Sequence, residues 1–123
     1  MRKSANMITA ASAVAVLIGS MTMIPIQSAL ADEDQVKAGK KIAENRKKGN
    51  CFGCHAYKGV DMPGNIGPPL VAMKARFPDK KKLYDQIWDA TNANPNSIMP
   101  PFGKHEMLSD KDIKALTEWA YTL

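Results

Sequence analysis

The residues best suited to chemistry stand together as Cys51-Phe52-Gly53-Cys54-His55, which takes in both cysteines of the chain and one of its two histidines. Two thiols spaced by two residues, with an imidazole directly after the second, form the C-x-x-C-H pattern of covalent haem attachment. The chemistry sets the spacing. One helical turn puts both thiols beside the two vinyl groups of a porphyrin, where thioethers form, and the next residue turns an imidazole toward the iron. Three other readings of these residues compete. A thioredoxin-like redox pair needs a preceding strand within a βαβ pattern, whereas the residues before Cys51 read as a basic helix. A disulfide from Cys51 to Cys54 closes so short a loop that it would stabilise little. A tetrahedral zinc site lacks ligands, because His105 lies far along the chain.

Iron held in this way has a sixth position that is either filled, for electron transfer, or open, for ligand chemistry. The candidates are Met62, Met73, Met99, Met107 and His105. Methionine is more often core packing than ligand. Met99 stands first among them because Pro100 and Pro101 follow it, hold the backbone extended and deny it a helix, as presentation from a loop requires. His105 and an open position remain the other readings. A thioether favours ferrous iron relative to a second imidazole and raises the reduction potential, which suits an electron carrier.

The elements that must position these groups read as helices. From Asp34 to Lys48, Val36, Gly39, Ile42 and Ala43 recur at helical spacing, with lysines and Glu44 on the other faces, and Gly49-Asn50 ends the run. After Pro78, Asp79 can cap a segment whose apolar side is Leu83, Ile87 and Trp88 or Ala90, ending at Asn92 to Pro95. The last helix is capped by Ser109, with Asp112 at its third position and Leu108 and Ile113 as a hydrophobic staple. Its buried stripe is Ile113, Leu116, Ala120 and Leu123, with Trp119 beside it. No alternating strand pattern and no repeat is visible, so the expected fold class is all-α. Two long segments separate the helices: Gly59 to Pro69, rich in Pro and Gly, and Asn92 to Leu108. Structureless loops of that length in a small domain imply something to wrap, and a haem is suitable.

The start of the chain has a different character. Arg2 and Lys3 precede an uncharged apolar stretch, Met7 to Ile24; Pro25 interrupts it, and Ala29-Leu30-Ala31 is a small-x-small site ahead of Asp32. This is the layout of a secretory signal peptide, expected to be cleaved after residue 31. An uncleaved helical anchor is the alternative, since the stretch approaches the ~18 apolar residues that cross a bilayer. Either implies export. The whole chain of 123 residues carries 17 Lys plus Arg against 12 Asp plus Glu, a net charge of +5. Without Arg2 and Lys3 the expected domain, Asp32 to Leu123, retains 15 basic against 12 acidic residues, or +3, so charge says little about partners. At 45% hydrophobic and 24% charged the chain is neither disordered polyelectrolyte nor membrane bundle. A domain so short has a marginal core, which a covalent cofactor would stabilise.

Taken in order, the first helix, Cys51 to His55, Gly67-Pro68-Pro69-Leu70, Met99 and a terminal aromatic-bearing helix resemble a class I cytochrome c across Asp32–Leu123. Gly49-Asn50-Cys51, Pro63-Gly64-Asn65-Ile66-Gly67-Pro68-Pro69-Leu70, Met99-Pro100-Pro101-Phe102-Gly103 and Leu108-Ser109 further resemble SoxX, the monohaem subunit of the SoxAX cytochrome of bacterial sulfur oxidation. The pentapeptide is common to all cytochromes c; the PGNIGPPL and MPPFG segments narrow the likeness. The resemblance implies one covalent haem c, with Cys51 and Cys54 as thioether sites and His55 and Met99 as axial ligands. It also implies that the Pro68 carbonyl accepts the other N–H of His55, with Leu70 among the haem-binding residues. It further implies a periplasmic heterodimer with a SoxA-type subunit, with room for a further small subunit and a downstream cytochrome as electron acceptor. In that complex thiosulfate is joined oxidatively to a carrier-protein cysteine at the partner's haem, and the X subunit removes electrons without being catalytic alone. A free monohaem carrier with no dedicated partner is the alternative, and an enzyme or sensor with an open haem is a third.

Other features have plainer readings. The cluster of Lys37, Lys40, Lys41, Arg46, Lys47 and Lys48 suits either an acidic partner or a solvated helix face, and Lys80-Lys81-Lys82 reads as exposed. Trp88, Trp119 and Tyr121 are expected in the core or against haem. Phe52 and Tyr57, beside the motif, are expected to line the haem or a contact surface. No aromatic-basic platform for nucleic acid is present.

Overall fold

The computed structural model describes residues 26–123, with side chains from Asp32 onward. The expected signal segment therefore lies outside the described residues except for the backbone of 26–31, which belongs to the first helix. Among the described residues four α-helices occur in chain order: α1 Ile26–Glu44, α2 Met73–Arg76, α3 Lys80–Trp88 and α4 Asp110–Ala120. Short 3-10 turns span Cys51–Gly53 and Ala90–Asn92, and no strand is found among the described residues. The fold is all-α, as the periodicity implies. No helix among the described residues is long and apolar enough to cross a membrane.

The frame is the crossing of α1 and α4. Buried Ile42 and Ala43 of α1 meet Ile113, Ala115, Leu116, Trp119 and Ala120 of α4 in a single apolar cluster. The helices touch at Gly39, where a Cβ would lie 2.0 Å from the carbonyl oxygen of Ala115 and 2.7 Å from Trp119 Cβ. Glycine inside a helix costs ~0.5–1 kcal/mol relative to alanine. Here it lets backbone meet backbone, so α1 and α4 bury their apolar faces more completely.

Helix α1 ends at Glu44 rather than running on to Lys48. The cause is Asn45, whose Oδ1 accepts the Lys47 N–H at 2.8 Å in a local turn that competes with the helix. The amides of Asn45 and Gly49 both bond the Ile42 carbonyl, closing the helix end, and Asn50 takes the left-handed conformation with φ 47°. Helix α2 goes unpredicted by periodicity because it is a single turn, held by its amide at Met73 to the Leu123 carbonyl at 2.9 Å.

Caps define the other helices. Asp79 accepts the Lys81 N–H at 2.9 Å to start α3. At α4 the Ser109 hydroxyl accepts the Asp112 N–H at 3.1 Å while Asp112 Oδ2 accepts the Ser109 N–H at 3.3 Å, a reciprocal capping box. Leu108 and Ile113 on either side of it are buried. Helix α3 is joined to α4 through buried Leu83, through Lys80 to Glu118 at 2.6 Å and through the Tyr84 hydroxyl to Asp110 at 2.7 Å. Two of the three lysines of the Lys80 run are thus ion-paired, Lys81 with Asp85. In the first basic cluster, Lys37, Lys40 and Lys48 pair with Glu33, Glu44 and Asp112. The Tyr121 hydroxyl donates to the Phe77 carbonyl, tying the chain end to the start of α3.

Candidate functional site

The 3-10 turn over Cys51–Gly53 follows the left-handed Asn50 and is held by bonds from Gly53 N–H to the Asn50 carbonyl at 3.0 Å and from His55 N–H to the Cys51 carbonyl at 2.8 Å. This turn sets the register of the two thiols and the imidazole. The Pro- and Gly-rich segment then returns along it. Gly64 N–H reaches the Phe52 carbonyl, Gly67 N–H the Cys54 carbonyl and Leu70 N–H the Ala56 carbonyl, each at 2.8 Å. Those three bonds advance in the same direction on both segments, so the returning loop lies parallel to the motif. Its close approach needs glycine: a Cβ at Gly64 would lie 2.0 Å from the Gly53 carbonyl oxygen, and one at Gly67 2.4 Å from His55 Cε1.

The consequence is the orientation of His55. Thirteen positions beyond it, the Pro68 carbonyl accepts the Nδ1–H at 2.7 Å. Donation from Nδ1 leaves the Nε2 lone pair free to coordinate a metal, and such a partner fixes the ring and raises its basicity.

Cys51, Cys54, His55, Pro68, Leu70 and Met99 all lie on the wall of one cavity of about 750 Å³. Its other walls include Phe77, Leu83, Ile87, Phe102, Leu116 and Trp119. The size falls in the ~300–1,000 Å³ range of cofactor pockets. The remaining candidates for iron separate on this wall. Met73 and Met107 line the cavity, whereas Met62 and His105 do not, and both of those are exposed. Met73 is buried and its sulfur accepts a hydrogen bond from Arg76 at 3.6 Å, while Met107 is half exposed. Met99 is partly buried, and its N–H donates to Ser97 Oγ at 3.3 Å.

The residues fit a covalently held haem. A donor set of two thiols, an oriented imidazole and a loop-borne thioether opens on one apolar chamber, and Arg46, Lys48 and Arg76 on its wall suit the carboxylates of a porphyrin. Burial pushes the Cys51 thiol up to about 11, with a smaller contribution from Cys54 and a partial offset from a backbone hydrogen bond. Disulfide-exchanging cysteines need the opposite, a thiol depressed toward neutrality. No disulfide joins Cys51 and Cys54. Among the described residues no cluster of His, Cys, Asp and Glu suits a bare metal ion.

Neither Phe52 nor Tyr57 lines the cavity; Tyr57 is buried, so it lines no contact surface either, while Phe52 is half-buried. Tyr57 is 6% exposed and packs edge-on to Trp119, ring centroids 5.0 Å apart, and its buried hydroxyl has no partner. Burial, with the charges of Glu44 and Cys51, pushes its phenol up to about 12. Phe52 lies under the Arg46 guanidinium at 5.3 Å. Trp88 also stands off the cavity, against Tyr84 and Gly103. The alternation between core and cavity here depends on chain path, which residue type does not reveal.

A small all-α domain whose C-x-x-C-H turn opens on an apolar chamber has the architecture of a class I c-type cytochrome, a fold for electron transfer with covalent haem c. The chain belongs to the family described as Cytochrome C oxidase, cbb3-type, subunit III, which matches residues 34–119. It is also similar to an uncharacterized lipoprotein of Aquifex aeolicus (strain VF5), with 33% identity over 76 residues. That stretch is 61% of this chain and 37% of the relative, so the chain spans little more than a third of the relative's length.

Proposed function

We propose that the protein is an exported monohaem cytochrome c that serves as the electron-transfer subunit of a SoxAX-type thiosulfate-oxidising complex. The observation that carries the electron-transfer part is the convergence of Cys51, Cys54, His55 and Met99 on one apolar cavity, with His55 held by the Pro68 carbonyl. In this reading Cys51 and Cys54 would hold one haem c by thioethers, His55 and Met99 would be its iron ligands, and Leu70 would pack against it. The bound group supplies a one-electron couple. The chain's own part is to hold both axial groups in both oxidation states, to exclude water with the apolar wall, and thus to keep reorganisation small.

Export is supported by the leader-like residues 1–31, leaving 32–123 as the mature domain, and by the likeness to an Aquifex lipoprotein. Periplasmic pairing with a SoxA-type subunit is supported by the likeness of residues 63–70 and 99–103 to SoxX. The partner would perform the sulfur chemistry and this subunit would pass electrons to a downstream cytochrome. The decisive experiment is purification of the tagged protein from a periplasmic extract. A second haem protein co-eluting in fixed ratio is expected; a monomer that exchanges electrons freely with unrelated oxidases would show a general carrier instead. For the axial assignment, Met99→Ala should lower the reduction potential, and an unchanged potential would refute it.

A further inference from the structure

We infer that Asp89, Lys104 and Trp88 form a positioning clamp that keeps the Met99 segment seated on the cavity. This rests on the reading of Met99 as an axial ligand. None of the three lines the cavity, so their effect is exerted through the segment.

A thioether is a neutral, weak donor, and its retention depends on how firmly the backbone presents it. Pro100 and Pro101 give that backbone no N–H with which to anchor itself. On the N-terminal side the tie is Ser97, whose hydroxyl accepts from Met99 and whose N–H bonds the Asn94 carbonyl at 2.9 Å. On the C-terminal side the tie is the end of α3. The Trp88 carbonyl, left without an intrahelical partner, accepts both Gly103 N–H at 3.0 Å and Lys104 N–H at 3.3 Å. Gly103 lies flat on the indole, where a Cβ would stand 2.2 Å from ring carbons of Trp88.

Asp89 closes the arrangement. Its Oδ2 pairs with Lys104 Nζ at 2.9 Å, while Oδ1 accepts the Thr91 N–H at 3.0 Å and the Thr91 hydroxyl. One carboxylate therefore joins the turn after α3 to the loop that carries Met99. It is also the most buried carboxylate among the ion pairs of the described residues, its side chain 3% exposed against 21% for Glu118. An ion pair with one desolvated partner resists opening more than a surface pair does, because separation strands a buried charge.

The test uses the haem-loaded protein with Lys104→Ala, Asp89→Asn, the charge-conserving Lys104→Arg, and Met99→Ala as reference. The readouts are the iron–thioether charge-transfer absorbance of the ferric form, the rate of carbon monoxide binding to the ferrous form, and the melting temperature. Lys104→Ala and Asp89→Asn should lose at least half of the absorbance and bind carbon monoxide roughly tenfold faster, the ratio that ~1.4 kcal/mol produces. Lys104→Arg should restore both. If absorbance and rate stay at wild-type values in both variants while melting temperature falls, Asp89 and Lys104 are structural and the clamp is refuted. If Met99→Ala itself leaves absorbance and rate unchanged, the axial assignment falls and the clamp with it.

Discussion

Replacing Gly67 with alanine probes the contact that orients His55. The added Cβ would stand 2.4 Å from Cε1, 2.6 Å from Nδ1 and 2.9 Å from Nε2 of the imidazole. Ordinary carbon contacts begin near ~3.5 Å, so ring or loop must retreat by about 1 Å. The ring cannot yield that much without losing its hydrogen bond, since the 2.7 Å separation from the Pro68 carbonyl leaves only ~0.5 Å before the usual limit. The loop is no freer, because Gly67 N–H is itself bonded to the Cys54 carbonyl at 2.8 Å. Overpacking costs ~1–3 kcal/mol and the lost bond ~0.5–1.5 kcal/mol, together about 1.5–4.5 kcal/mol. For a domain of this size that lowers the melting temperature by roughly 6–36 °C. The assay is thermal unfolding of the haem-loaded protein, with Gly59→Ala as the control. Gly59 has φ 91° and nothing within 4 Å of a Cβ, so its variant suffers backbone strain alone, ~1–2 kcal/mol. A Gly67→Ala protein no less stable than Gly59→Ala would refute the steric account of how His55 is held.

Three further outcomes are expected. Ser109→Ala removes one arm of the capping box on α4 and should cost ~1 kcal/mol, a fall in melting temperature of about 4–8 °C; no change would mean that solvent caps the helix equally well. Tyr57→Phe deletes a buried hydroxyl that has no partner, so it should be neutral or stabilising in urea titration, and a loss of more than ~1 kcal/mol would reveal a partner for that group. Thr91 and Lys104 hold the Asp89 carboxyl below the ordinary range, as Lys114 and Tyr84 do for Asp110. A carboxylate with a lowered folded-state pKa contributes stability above its unfolded value of ~3.9 and loses it as pH falls through the folded value. The urea midpoint should accordingly drop below about pH 4, less steeply in Asp89→Asn; a midpoint flat to about pH 2 would contradict it.

Local chemistry was legible in the sequence wherever a few consecutive residues settle it. The haem-attachment pattern of Cys51 to His55, the reciprocal cap of Ser109 and Asp112, the cap at Asp79 and the apolar stripe of α4 each depend on neighbours within about one turn. The all-α class follows from the same short-range periodicity. Where a local side-chain bond competes with that periodicity the reading slips: α1 stops at Glu44 because Asn45 turns onto Lys47.

What only the tertiary structure decided is which distant groups share a wall. Residue type alone does not tell Met99, Met73 and Met107, which reach the cavity, from Met62 and His105, which stay outside it. Nor does it show that Tyr57 turns to Trp119, that Asp89 meets Lys104, or that Gly39 is where α1 and α4 touch. The physical reason is that such contacts arise from packing of elements far apart in the chain. Their geometry is set jointly by the helix crossing and the loop paths, and a one-dimensional period carries information about neither.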